Sequence, residues 1–303
     1  MHRSDRTITD ELEWLRWRLR VPVRKRLKRI AKAPLHALER QLHLHSVRPL
    51  EPPDFIHIGS AQSGTTWLYK MCQAHPDIFV CDKKETNYFS VAFPDWSFTY
   101  YCSLFDGPPG SVRGELTPGY MLLPLRRIAT VRRLMPDVRL IMTIRNPVDR
   151  AWSGARRILS KVADQAGTTI EELPDREFYE FFRKEWAYRP ERHPPGVYQR
   201  GMLQGQYSVA IERWLRYFRE DQLLLLTFDD IKQNPYGTME KFCEHIGVST
   251  DLDWDSMPLR KVVNKNPTMS IPPRFRHYLE DLYADELIRL KERYGLSFGY
   301  RDA

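Results

Sequence analysis

"FIHIGSAQSGTTWLYKMCQAH", residues 55–75, opens on an apolar run ending in glycine, passes through a Gly/Ser-rich turn and closes in a helical stretch before Pro76. Strand, loop and helix in that order give an α/β unit whose loop amides and helix N-terminus form an anion site. From Gly59 to Thr66 the spacing is that of a phosphate-binding G-x-x-x-x-G-K-[ST] loop, except that Thr65 stands where the lysine belongs. That substitution disfavours a nucleoside triphosphatase. Ser63, Thr65 and Thr66 still add hydroxyl donors, so the loop can bind phosphate without hydrolysing a triphosphate.

Working outward, the same alternation recurs. "PLRRIATVRRLMP" places Leu125, Ile128, Val131 and Leu134 at helical spacing, and "VRLIMTIR" is a continuous apolar strand followed by the helix "NPVDRAWSGARRIL". A helix "QYSVAIERWLRYF", a strand "QLLLLTF", a helix "PYGTMEKFCEHIG" and a long terminal helix from Pro272 complete the body. The βαβ order predicts an α/β fold, a P-loop-like three-layer α/β/α sandwich around a central parallel sheet, spanning residues 51–303 as one domain. Residues 160–200, polar and rich in charge and proline, read as a lid or acceptor-side insertion.

Charge is distributed unevenly. The chain carries +8, and residues 1–50 hold 13 Lys/Arg against 5 Asp/Glu, so the whole excess lies in that segment. A basic arm on a neutral body argues against a nucleic-acid-binding protein. Leu12, Leu15, Trp17 and Leu19 recur among arginines, which predicts a basic amphipathic helical extension. Peripheral membrane contact through residues 9–32 and packing on the body are equal alternatives for it. No apolar run has the length of a membrane span, the first residues lack a signal peptide's apolar core, and the four cysteines show no CxxC spacing. A cytoplasmic protein without a metal site is the expectation.

The chemistry-bearing segments resemble those of sulfotransferases that use 3′-phosphoadenosine 5′-phosphosulfate (PAPS). Ser63-Gly64-Thr65-Thr66-Trp67 is similar to their K/R-x-G-T-T-W loop, and Arg145 and Ser153 in "IRNPVDRAWS" occupy the positions that bind the 3′-phosphate. "KKETNYFS", residues 83–90, resembles the K-E-x-H-F-F segment of the carbohydrate and bacterial members, which makes Glu85 the implied catalytic base. "GELTPGY", residues 114–120, resembles E-K-S/T-P-x-Y, and a structural turn explains it equally well. "RKVVNKNP" falls where a cofactor-covering loop is expected, with Arg260, Lys261 and Lys265 as its cations. The resemblance covers roughly residues 54–300 and implies PAPS as co-substrate with a carbohydrate or small-molecule acceptor.

Two family lysines are absent: Gln62 and Leu116 stand in their places. Gln62 thus sits where leaving-group charge is neutralised, and losing one such donor costs about 10²–10³ in rate. Lys83, Lys84, Arg156 and Arg157 are candidates to reach that charge from elsewhere. The alternative reading is a catalytically impaired module that binds PAPS or its product. His75 reads as a capping or packing residue, and His57 receives no role.

Overall fold

The computed structural model describes residues 50–93, 95–170, 172, 176, 202–260 and 270–298. The basic arm, most of the 160–200 segment, and Lys261 and Lys265 lie outside them.

Five parallel strands form one sheet: β1 (Phe55–Gly59), β2 (Ile78–Val80), β3 (Val112–Leu116), β4 (Arg139–Ile144) and β5 (Leu223–Thr227), in the order β2-β3-β1-β4-β5. Between them run α1 (Thr65–Ala74), α2 (Phe98–Ser103), α3 (Leu125–Leu134), α4 (Pro147–Ala166) and α5 (Tyr207–Leu215). The chain ends through α6 (Phe228–Gln233), α7 (Pro235–Ile246) and α8 (Pro273–Tyr294). The chain leaves β1 toward one edge, returns through β3 beside β1, then crosses to β4 on the other side. The order therefore reverses at β1, and the crevice at the carboxyl ends of β1 and β4 is where open α/β sheets bind ligands.

Strand pleating sorts β1 between two cores. Ile56 and Ile58 join Leu140, Met142 and Ile144 in a cluster with Ile128 of α3 and Ile211 of α5. Phe55 joins Ile141 and Leu226 in another, with Leu68 and Met71 of α1 and Phe242 of α7. Covering both faces of a parallel sheet in this way is what makes its strands read as continuous apolar runs. At Gly114 a Cβ would meet the Phe55 ring 1.9 Å away, so only glycine lets β3 lie against this core.

Helix α4 starts as its Asn-Pro dipeptide dictates: Asn146 accepts from the Val148 N–H, and Pro147 takes the first turn. It does not stop where residues 160–200 were expected to become an irregular lid. It runs to Ala166, ends on Gly167 at φ 68°, and buries Leu159 and Ala163, joined by Ile170 just beyond the helix, in one cluster with Phe275 and Leu279 of α8. Ser160 and Asp164 stay at least partly exposed on this helix while Leu159 and Ala163 form its buried stripe. No helix among the described residues is long and apolar enough to cross a membrane. All four cysteines are free and buried, and burial pushes their thiols' pKa values up.

Candidate active site

The loop after β1 turns on two left-handed residues, Gln62 at φ 68° and Gly64 at φ 90°. A side chain at Gly64 would be strained by that φ and would also meet Ile231 Cδ1 at 2.8 Å. Helix α1 starts at Thr65 with no side chain capping it, so its first amides stay available to an anion.

Beneath the loop lies a buried polar layer that sequence reasoning missed. Ser60 donates its amide to the Thr143 carbonyl at 2.7 Å, and its hydroxyl lies 2.6 Å from that of Ser63. The Ser63 hydroxyl is thus turned inward, toward the loop's own support. Thr143 Oγ1 pairs with His57 Nε2 at 3.0 Å, and complete burial pulls the His57 imidazole down to about 3. The residue left without a role is therefore a neutral histidine bracing the loop from below. Gln204, fully buried, accepts the Ala61 amide at 2.9 Å. Tyr207 donates to the Arg145 carbonyl at 2.9 Å and accepts its amide at 3.3 Å, while also bonding Ser60 and Ser63. Both residues come from a segment whose sequence carries no phosphate-loop signal, so only the fold brings them there.

Arg145, leaving β4, does reach the loop. Its guanidinium donates to the Gln62 carbonyl at 3.3 Å and lies over the Phe228 ring at 4.7 Å. Ser153, two turns along α4, donates to Gln62 Oε1 at 3.1 Å. Gln62, Arg145 and Ser153 thus form one cluster. Burial draws the Arg145 pKa down, and among the described residues it makes no ion pair. A half-buried cation that Asp149 and Asp229 reach only through their charge has room for an anion. Trp67 lies elsewhere: its indole is buried in the core and donates to the Leu259 carbonyl at 2.8 Å, fixing the chain just before exposed Arg260.

Opposite that cluster, β2 leads into residues 83–90. Lys84 donates to Thr66 Oγ1 at 3.3 Å. Glu85 follows, partly exposed, and its charge acts on Lys84. The next residue enters a buried hub around Glu115, whose carboxylate accepts from Thr86 and Tyr101, from Thr117 at 2.7 Å and from Tyr120 at 2.8 Å. The same hydroxyls hold the backbone that follows Glu85: Thr117 accepts the Asn87 amide at 3.4 Å, Thr86 that of Tyr88 at 3.2 Å, and Tyr120 that of Phe89 at 3.2 Å. "GELTPGY" is more than a turn, since it anchors the segment carrying Glu85. Desolvation raises the Glu115 pKa and the four hydroxyl bonds oppose that rise. Leu116, on the opposite pleat, is buried in the core beside Trp67, so residue 116 presents nothing to the loop. His75 is buried and accepts the Asp77 amide at 3.1 Å, a turn-forming bond that fits its expected capping role. Among the described residues no three His, Cys, Asp or Glu side chains are grouped to hold a metal ion.

Residues 52–269 match the family described as sulfotransferase domain. The chain belongs to the PAPS-dependent sulfotransferase family. Among curated relatives it is 26% identical over 200 residues to the human (Homo sapiens) heparan sulfate glucosamine 3-O-sulfotransferase 6, covering 65% of this chain and 52% of the relative. It is 26% identical over 218 residues to the mouse (Mus musculus) bifunctional heparan sulfate N-deacetylase/N-sulfotransferase 4, covering 65% of this chain and 22% of that protein. The chain therefore spans about half the length, or less, of these curated relatives. A sulfotransferase from Alicyclobacillus acidocaldarius is similar in structure, with a TM-score of 0.61 and 26% identity over 82% of this chain and 98% of that one.

Proposed function

We propose that this sulfotransferase moves a sulfuryl group from PAPS to a hydroxyl or amine of a carbohydrate acceptor, with Glu85 as general base. The observation that carries the reading is one anion-ready loop flanked by two partly buried cations, Arg145 and Lys84, neither of which makes an ion pair among the described residues. Two cations on opposite flanks suit a ligand with phosphate groups at both ends, as PAPS has. Family membership supports the donor, and the names of the heparan sulfate relatives support a carbohydrate over a small-molecule acceptor.

In this reading Arg145 and Ser153 hold the 3′-phosphate, with Arg260 and Lys261 as covering cations. The amides of residues 63–67 and the hydroxyls of Thr65 and Thr66 hold the 5′-phosphosulfate, Ser63 and Trp67 through their backbones alone. Glu85 takes the acceptor proton as the acceptor oxygen or nitrogen bonds to sulfur. The bond from sulfur to the 5′-phosphate oxygen breaks and leaves its electron pair on that oxygen, so the product is adenosine 3′,5′-bisphosphate. The Glu115 hub contributes by orienting the Glu85 segment.

Calorimetry with adenosine 3′,5′-bisphosphate against ATP, followed by transfer of labelled sulfate to desulfated heparan-type polysaccharide, tests the proposal. A strong preference for the bisphosphate that Arg145→Ala abolishes is expected; equal affinity for both nucleotides overturns it. Tight bisphosphate binding with no transfer to any acceptor would instead favour a binding module.

A further inference from the structure

Gln62 stands in place of the loop cation, and both of its oxygens are engaged on the Arg145 flank. Its side-chain oxygen receives the Ser153 hydroxyl and its backbone oxygen receives Arg145, so it is committed to the Arg145 flank. Residue 116, the other lost lysine, is a core leucine. Of the neighbouring lysines, Lys83 lies 3.9 Å above the Trp96 ring, away from the loop. Lys84 alone of that pair turns inward, with Nζ 3.3 Å from Thr66 Oγ1.

We infer that Lys84 supplies the positive charge at the 5′ end of the donor which other members of the family place in the loop at the position of Gln62. An ammonium has three donors, and Thr66 takes one. Because Thr66 accepts that bond, its own hydroxyl proton is free to point at the anion. Lys84 therefore reaches the 5′-phosphosulfate both directly and through Thr66. When the bond from sulfur to the 5′-phosphate oxygen breaks, the added negative charge on that oxygen falls beside a cation already in place, and no proton has to move. Burial lowers the Lys84 pKa while the neighbouring Glu85 charge holds it up. The Glu85 charge thus opposes the burial that disfavours the ammonium.

The inference rests on the proposed donor, and one set of binding measurements separates the two. Calorimetry compares adenosine 3′,5′-bisphosphate with adenosine 3′-monophosphate, which lacks the 5′ group, on the full chain. Lys84→Gln should weaken the bisphosphate by about tenfold or more while leaving the monophosphate within about twofold. Arg145→Ala should weaken both. Adding Gln62→Lys to Lys84→Gln should restore much of the lost affinity, because it returns the charge to the loop. Lys84→Arg, checked for folding by thermal denaturation, keeps the charge and should stay within a few-fold of wild type. Equal weakening of both ligands by Lys84→Gln, no weakening at all, or a folded Lys84→Arg as impaired as Lys84→Gln would overturn the inference. A wild-type chain that binds neither adenosine 3′-phosphate better than ATP would instead overturn the donor assignment itself.

Discussion

On the Arg145 flank the loop is braced mostly by backbone contacts: Gln62 and Arg145 offer carbonyls, Tyr207 clasps the Arg145 peptide, and Ser60 and Ser63 bond one another. On the Glu85 flank the support comes from side chains: one buried carboxylate collects four hydroxyls, and these hold the amides of the segment carrying Glu85. In the proposed reading the first arrangement positions a phosphate and the second positions the group that takes up the proton. Changes on the Arg145 flank should therefore alter binding, and changes to Glu85 and its Glu115 support should alter rate or stability; Lys84, on the second flank but turned onto Thr66, belongs with the binding groups.

Glu85→Gln is the sharpest way to break this comparison. It should lower the transfer rate by about 10²–10⁴ while leaving adenosine 3′,5′-bisphosphate affinity unchanged. A parallel loss of affinity would show that the flanks are not separable. Next in size is the pH response of His57, whose folded-state value of about 3 lies below its ordinary 6.5. A depressed folded value means that the stability contribution is complete above pH 6.5 and is lost as pH falls toward about 3. The fall from 6.5 to about 3 makes that loss on the order of 5 kcal/mol. Urea unfolding across this range should show the slope, and His57→Gln should flatten it.

Glu115→Ala should destabilise the fold by about 3 kcal/mol, since Thr86, Tyr101, Thr117 and Tyr120 all lose their acceptor in a buried site. Denaturant titration reads this, and a loss under 1 kcal/mol would mean the hub is replaceable. Tyr207→Phe, on the other flank, should cost only about 1–1.5 kcal/mol. It should raise the bisphosphate Kd at constant rate with saturating donor, the reverse of Glu85→Gln.

The parts of the molecule legible in the sequence are those in which neighbours along the chain decide the structure. The apolar runs of β1 and β4 stay apolar because both sheet faces are covered. Gly64 and the Asn146-Pro147 pair announce the turns into α1 and α4. Less legible were the three-residue β2, the Tyr88–Ala92 π-helical turn and the reach of α4 to Ala166. Each is held by contacts with distant segments, and the α4 stripe, with alanines among its buried residues, carries a weak apolar signal. Glu115 read as a turn residue because its four partners are dispersed from residue 86 to residue 120.

By itself the sequence determined the strand, loop and helix that open the fold and the parallel α/β sheet, which follow from backbone conformation and hydrophobic period acting over a few residues. The proposed carriers of chemistry at 63–67, 85, 145 and 153 came from the resemblance of those segments to the family. Only the tertiary structure decided where each side chain is directed: Gln62 toward Ser153, Trp67 and Leu116 into the core, Ser63 inward, Lys84 onto Thr66. Direction depends on pleat, helix phase and burial, and those are settled when the sheet and its two helical layers close around one another.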